Sequence, residues 1–166
     1  TFMEESACIR ALQRVYRENS SHREGETLTA KQIFEIARGE RDGNQAAAER
    51  AFAELGAALG ECIANVVTLI DGLVVIGGGL SNAYPLYAPA MMQALRSGIE
   101  TFDRSRTLNR LELDCFDLEN AGDLKHFCSG KMVQATVPGS GEKVSYDAMK
   151  RSGIGRSRLG TSQAVS

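Results

Sequence analysis

Residues 73–81 read Leu-Val-Val-Ile-Gly-Gly-Gly-Leu-Ser, and few sequences constrain a local fold as tightly. Four apolar residues in succession predict a short strand buried on both faces, as in a parallel sheet. Glycine reaches positive φ without steric cost and lets the backbone approach another group closely. A glycine triplet at a strand end therefore predicts a tight turn, a ligand surface, or both. Ser81 and Asn82 then offer side-chain caps for a following helix. Strand, glycine turn and helix N-terminus in that order suit an anionic or nucleotide ligand at the carboxyl edge of an α/β sheet.

The flanks are helical in pattern. Upstream, Asp42 or Asn44 can cap a long helix reaching about residue 70, in which Phe52, Leu55, Leu59, Cys62, Ile63, Val66 and Ile70 recur at intervals of three and four. Gly56 and Gly60 stand one turn apart inside it. Each costs about 1 kcal/mol against alanine in a helix interior, so the pair predicts close packing of another element. Asp71 and Gly72 break the helix. Downstream, Tyr84, Leu86, Tyr87, Met91, Met92, Leu95, Ile99 and Phe102 predict a second long helix, with Pro85 and Pro89 in its first turns.

Before this unit, a helix is expected over 6–18, then a polar loop with His22, then a short helix opened by Thr27 or Thr29 and ended by Gly39. Together they read as a helical cap segment, 1–41, beside an α/β segment, 42–166. After it, residues 111–118 read as a second strand and 120–129 as a short helix or turn containing His126. Residues 132–137 and 144–149 read as a hairpin. Residues 152–162 carry Gly153, Gly155, Gly160, Arg156 and Arg158, and are read equally as a phosphate cradle or as a solvated loop. Both histidines read as surface or structural residues.

A chain of 166 residues can bury one sizeable core, or form one lobe of something larger. With 21 acidic against 19 basic side chains, no net field points to nucleic acid or an anionic membrane. No apolar run in the sequence approaches the ~20 residues of a membrane span. Cys8, Cys62, Cys115 and Cys128 form no CxxC pair and have no histidine at ligand spacing, so no zinc site is indicated. Free thiols fit a reducing cytoplasm. The first residue, Thr1, and the last stretch, 164–166, read as the cut ends of a fragment.

Familiar ligand motifs do not fit. A dinucleotide fingerprint would need a third glycine where Asn82 stands. The one Gly-Lys pair, Gly130 and Lys131, lacks both the upstream glycine and the following hydroxyl residue of a P-loop. There is no G-x-S-x-G elbow, and no catalytic residue stands out.

The wider pattern is more specific. Residues 43–83, GNQAAAERAFAELGAALGECIANVVTLIDGLVVIGGGLSNA, resemble the carboxyl-terminal half of the ROK family, which groups bacterial sugar kinases such as glucokinase with sugar-responsive repressors. Residues 156–166, RSRLGTSQAVS, are similar to the stretch before that family's final helix. Residues 3–16, MEESACIRALQRVY, are similar to the helix after its sugar-binding region.

The resemblance implies an α/β, actin-like (ribonuclease-H-like) ATPase lobe with a helical insertion, taken from a two-lobed protein. Gly77, Gly78 and Gly79 would form the adenosine motif, bordered by Leu80 and Ser81, and Glu4 or Glu5 would stand near a sugar-contacting glutamate. The implied ligands are ATP with magnesium and a hexose. Nucleic acid would be a partner only of a repressor with an upstream DNA-binding domain. A homo-oligomer, with the long helix at its interface, is also implied. The family's phosphate motifs, catalytic aspartate, sugar motif and zinc-binding cysteines have no counterpart here and are expected upstream of Thr1. This chain alone is therefore expected to lack kinase activity. The rival from another class is a structural lobe whose glycines serve packing only.

Overall fold

The computed structural model describes residues 3–20, 28–70 and 72–159. His22, Thr27, Asp71, Gly160 and the last residues, 161–166, lie outside them.

Helices α1 (Met3–Ser6), α2 (Ile9–Asn19) and α3 (Ala30–Ala37) precede the long helix α4 (Gln45–Leu69). The helix expected over 6–18 is α2, which starts only at Ile9, with α1 a separate turn before it. Thr29 caps α3: its hydroxyl accepts from the Gln32 amide, and Gln32 Oε1 accepts from the Thr29 amide at 2.8 Å. That is a reciprocal capping box. Asn44 rather than Asp42 caps α4, its Oδ1 accepting from the Ala47 amide at 3.0 Å.

By length and composition α4 is apolar enough to cross a membrane. In the structure its apolar side is core, with Ala48, Ala51 and Phe52 fully buried, while Arg50 and Glu54 pair at 3.0 Å on the other side. The buried stripe ends on Ile63, Ala64 and Val67; Val66 and Ile70 are exposed and Cys62 is half-buried. Periodicity gave the helix correctly but drifted off its buried face in the last turns.

Helix α5 (Tyr84–Leu95) packs along α4. The two glycines decide how closely. A Cβ on Gly56 would lie 2.2 Å from the Tyr87 carbonyl oxygen, and one on Gly60 2.5 Å from that of Met91. Pro89 sits inside α5, beyond the first turn where a missing N–H is free of cost, so it cannot donate to the Pro85 carbonyl. The helix stops at Leu95; Ile99 and Phe102 instead belong to an exposed hairpin of β2 (Gly98–Glu100) and β3 (Thr107–Asn109).

The sheet is built from β1 (Val74–Ile76), β4 (Asp114–Asp117) and β7 (Arg151–Arg156) in the order β1-β7-β4, all parallel. The Leu73–Ile76 run was expected buried on both faces, yet β1 is an edge strand with Leu73 and Val75 61% and 66% exposed. The first part of the stretch 152–162, read equally as a phosphate cradle or a solvated loop, is instead the central strand β7, whose Ile154 is fully buried.

Ile154 and Cys115 join the core formed with α4 and α5. The opposite face of the sheet is covered more thinly. Phe116 meets Phe127 of α6 (Ala121–Ser129) edge-to-face at 6.0 Å, and Leu118 lies on Gly153, where a Cβ would come within 2.7 Å of its side chain. A second hairpin, β5 (Met132–Thr136) with β6 (Lys143–Asp147), projects between α6 and β7 in sequence, as its pattern predicts.

Candidate functional site at the carboxyl edge of the sheet

Because all three sheet strands are parallel, their carboxyl ends share one edge. That edge gathers the glycine triplet after β1, Ser157 and Arg158 after β7, and Glu119 after β4. The Ser157 amide donates to the Ile76 carbonyl at 2.8 Å and extends the β1–β7 pairing by one step. A cavity of about 410 Å³ opens there, with Gly78, Gly79, Ser81 and Asn82 on one side and Arg156, Ser157 and Arg158 on the other. Crevices at such an edge are where α/β sheets bind ligands.

The three glycines differ in what requires them. Gly78 has φ +85°, a left-handed conformation that side chains resist. A Cβ on Gly77 would make ordinary contact with Ser157 at 3.7 Å. Gly79 has neither reason, for its φ is ordinary and a Cβ there would meet nothing within 4 Å. Bare backbone facing open space beside a cleft is what a closely approaching ligand requires.

Ser81 does not cap α5 as its type and position predict. Its hydroxyl donates to the Gly78 carbonyl at 2.8 Å, and its amide donates to the same oxygen at 3.1 Å. The side chain is buried and closes the glycine turn. A turn of 3-10 helix, Ser81–Ala83, leads into α5, with Leu80 at its start making no side-chain cap. Of the residues named from sequence at 77–81, Gly78, Gly79 and Ser81 line this cavity, and Gly77 and Leu80 do not. Glu5 is exposed on α1 and does not line this cleft, and the Glu4 side chain lies outside the described residues.

Glu119 is the residue sequence reasoning missed. Its carboxylate accepts from Arg156 Nε at 3.1 Å and from the Arg156 amide at 3.4 Å, pinning the end of β7. Beyond this bridge lies a second cleft of about 550 Å³, lined by Tyr84, Pro85, Pro89, Arg96, Asp117 and Asp123 among others. Tyr84 donates its hydroxyl to Asp117 Oδ1 at 2.7 Å. Burial, and then that carboxylate, push the Tyr84 hydroxyl far above its ordinary value, so it stays a donor. Arg96 pairs with Asp123, which in turn accepts from the Asp117 amide at 2.9 Å. Nothing in the sequence pattern ties Glu119 to Arg156, 37 residues on.

A larger cavity, about 840 Å³, opens at the opposite edge of the sheet, where Arg110 and Lys150 are held by Glu61 and Glu112. Among the described residues no group of three or more His, Cys, Asp and Glu side chains can hold a metal ion. His126 is exposed and meets the Phe116 ring edge-on at 6.4 Å.

The model of the ROK family matches residues 3–111, more than half of the chain. The chain belongs to the ROK family. A solved glucokinase from Parabacteroides distasonis ATCC 8503 is similar over 98% of this chain, at 39% identity and a TM-score of 0.80. The chain spans 43% of that glucokinase's length. A second solved structure, named as a candidate sugar kinase of Cytophaga hutchinsonii ATCC 33406, is 25% identical over 56% of this chain and 33% of its own, with a TM-score of 0.47. None of the curated proteins compared with this ROK chain matches it.

Proposed function

We propose that this chain is the carboxyl-terminal, adenosine-side lobe of an ATP-dependent hexose kinase with an actin-like, two-lobed fold. The observation that carries the reading is Gly79, whose missing side chain is required neither by packing nor by its backbone angle and which lines an open cleft at the carboxyl edge of a parallel sheet. The likeness to a solved glucokinase supports the substrate class. The rival reading, glycines that serve only packing, has no neighbouring atom for Gly78 or Gly79 to accommodate.

In this reading the bare backbone of Gly78 and Gly79 lies against the nucleoside, and Leu80 and Ser81 border it. The Ser81 hydroxyl holds the turn and does not touch the reacting atoms. In such a kinase a carboxylate takes the proton of the sugar hydroxyl as the γ-phosphoryl is transferred, with magnesium balancing phosphate charge. Among the described residues none in this cleft is placed to do either, and the role proposed for the chain is binding and orientation. Glu4 and Glu5 approach the sugar once the other lobe is present, and residues 1–41 act as a helical cap to the α/β segment 42–166. The cytoplasm, where ATP and free hexose are available, is the setting this chemistry needs.

Hydrogen exchange tests the assignment directly. Added ADP is expected to slow amide exchange at 77–81 and 157–159 and to leave the hairpin 132–147 unchanged. Protection elsewhere, or none, refutes the site. A coupled assay with ATP and glucose is expected to show no turnover by this chain.

A further inference from the structure

The two arginines on the β7 side of the cleft are not equivalent. Arg156 is engaged by Glu119 through both Nε and its own amide, so its charge is compensated and its place fixed. Arg158, exposed at the rim, makes no ion pair among the described residues. Among the described residues no acidic side chain lines this cleft, and the guanidinium of Arg158 is its one uncompensated charge.

Register gives that charge a position. Ile76 pairs with Arg156, the Ser157 amide donates to the Ile76 carbonyl, and Arg158 follows at once, lining the same cleft as Gly78 and Gly79. The open space in front of Gly78 and Gly79 is thus flanked by a cation. A planar guanidinium matches a phosphate with two parallel hydrogen bonds strengthened by opposite charge, which a neutral ribose or base lacks.

Resting on the nucleotide reading above, we infer that Arg158 holds the diphosphate of a nucleotide whose nucleoside lies against Gly78 and Gly79. Arg156 is a positioning residue that fixes the strand end through Glu119 and does not touch the ligand. Specificity for a charged nucleotide over its nucleoside is then set by a residue after the central strand, outside the glycine motif.

Calorimetric titration of the chain with adenosine, AMP and ADP tests this, using Arg158→Ala and Arg158→Lys beside the native protein. Arg158 is exposed, so neither variant threatens the fold. The native chain is expected to bind ADP about tenfold more tightly than adenosine, the effect of one charged hydrogen-bonded pair. Arg158→Ala is expected to bring that ratio close to one with the adenosine affinity unchanged, and Arg158→Lys to restore part of it. Added salt should weaken ADP binding in the native chain more than in Arg158→Ala. If Arg158→Ala keeps the full preference for ADP while adenosine binds, the inference is overturned and the nucleotide reading stands. If neither adenosine nor ADP binds the native chain, both fall.

Discussion

Gly56 is where the packing account can be tested against a known opposing effect. In an isolated helix, Gly→Ala stabilises by about 1 kcal/mol. In this fold the new Cβ would stand 2.2 Å from the Tyr87 carbonyl oxygen, 3.0 Å from its carbon and 3.2 Å from Ala90 Cβ. Two of these are backbone atoms inside α5, so no rotamer change relieves the overlap and the helices must separate by roughly an ångström in a close-packed interior. Overpacking of this kind costs about 1–3 kcal/mol, and backbone clash belongs at the upper end. Net destabilisation of about 2 kcal/mol is expected for Gly56→Ala. In urea, with a slope of about 2 kcal/mol per molar, the midpoint should fall by about 1 M at unchanged slope. An unchanged or raised midpoint would mean that α4 and α5 do not approach as described.

Other perturbations reach the site and the surface. Ser81→Ala removes the hydroxyl held by the Gly78 carbonyl at 2.8 Å and should cost about 1 kcal/mol, with faster amide exchange confined to 78–83; uniform exchange would deny Ser81 its role in the turn. The Asp147 carboxyl is held below its ordinary value by the Lys131 amide, then by the Met149 amide and Arg151. Its stabilising contribution is therefore present above the unfolded value, about 4, and is lost as pH falls through the lower folded value. Asp147→Asn should flatten that part of the acid unfolding profile, and an unaltered slope would contradict the assignment. Tyr87 carries a hydroxyl with no partner among the described residues, on a fully buried ring, and burial pushes it up to about 12. Tyr87→Phe should leave thermal stability equal or higher; a large loss would point to a buried water bonded to that oxygen.

Local periodicity carried the helices into view. The stripe through Phe52 and Leu55 and the paired Gly56 and Gly60 marked α4 and its close neighbour, because each is a property of a few adjacent residues. The glycine turn at 77–79 was equally legible. The central strand was not. Residues 151–156 hold a single aliphatic side chain, Ile154, and two glycines, which by themselves read as loop. Their burial comes from Leu118 lying on Gly153 and from β1 and β4 pairing on either side, contacts that local sequence does not encode. The same limit hid Glu119. It also made β1 look central, since an apolar run reports burial without saying which strand has a free edge. Ser81 misled for a local reason: a hydroxyl after a glycine turn can bond back to the turn as readily as forward to a helix.

The central claim is that the bare backbone at the carboxyl edge exists for a nucleotide, and ADP titration of the native chain beside Gly79→Val tests it most directly. Gly79 suits the purpose better than Gly78, whose φ of +85° would make any side chain a folding defect. A Cβ at Gly79 meets nothing within 4 Å, so the variant should match the native chain in thermal midpoint. The account predicts saturable ADP binding by the native chain and its loss in a folded Gly79→Val. Equal binding by both, or none by the native chain, would contradict it.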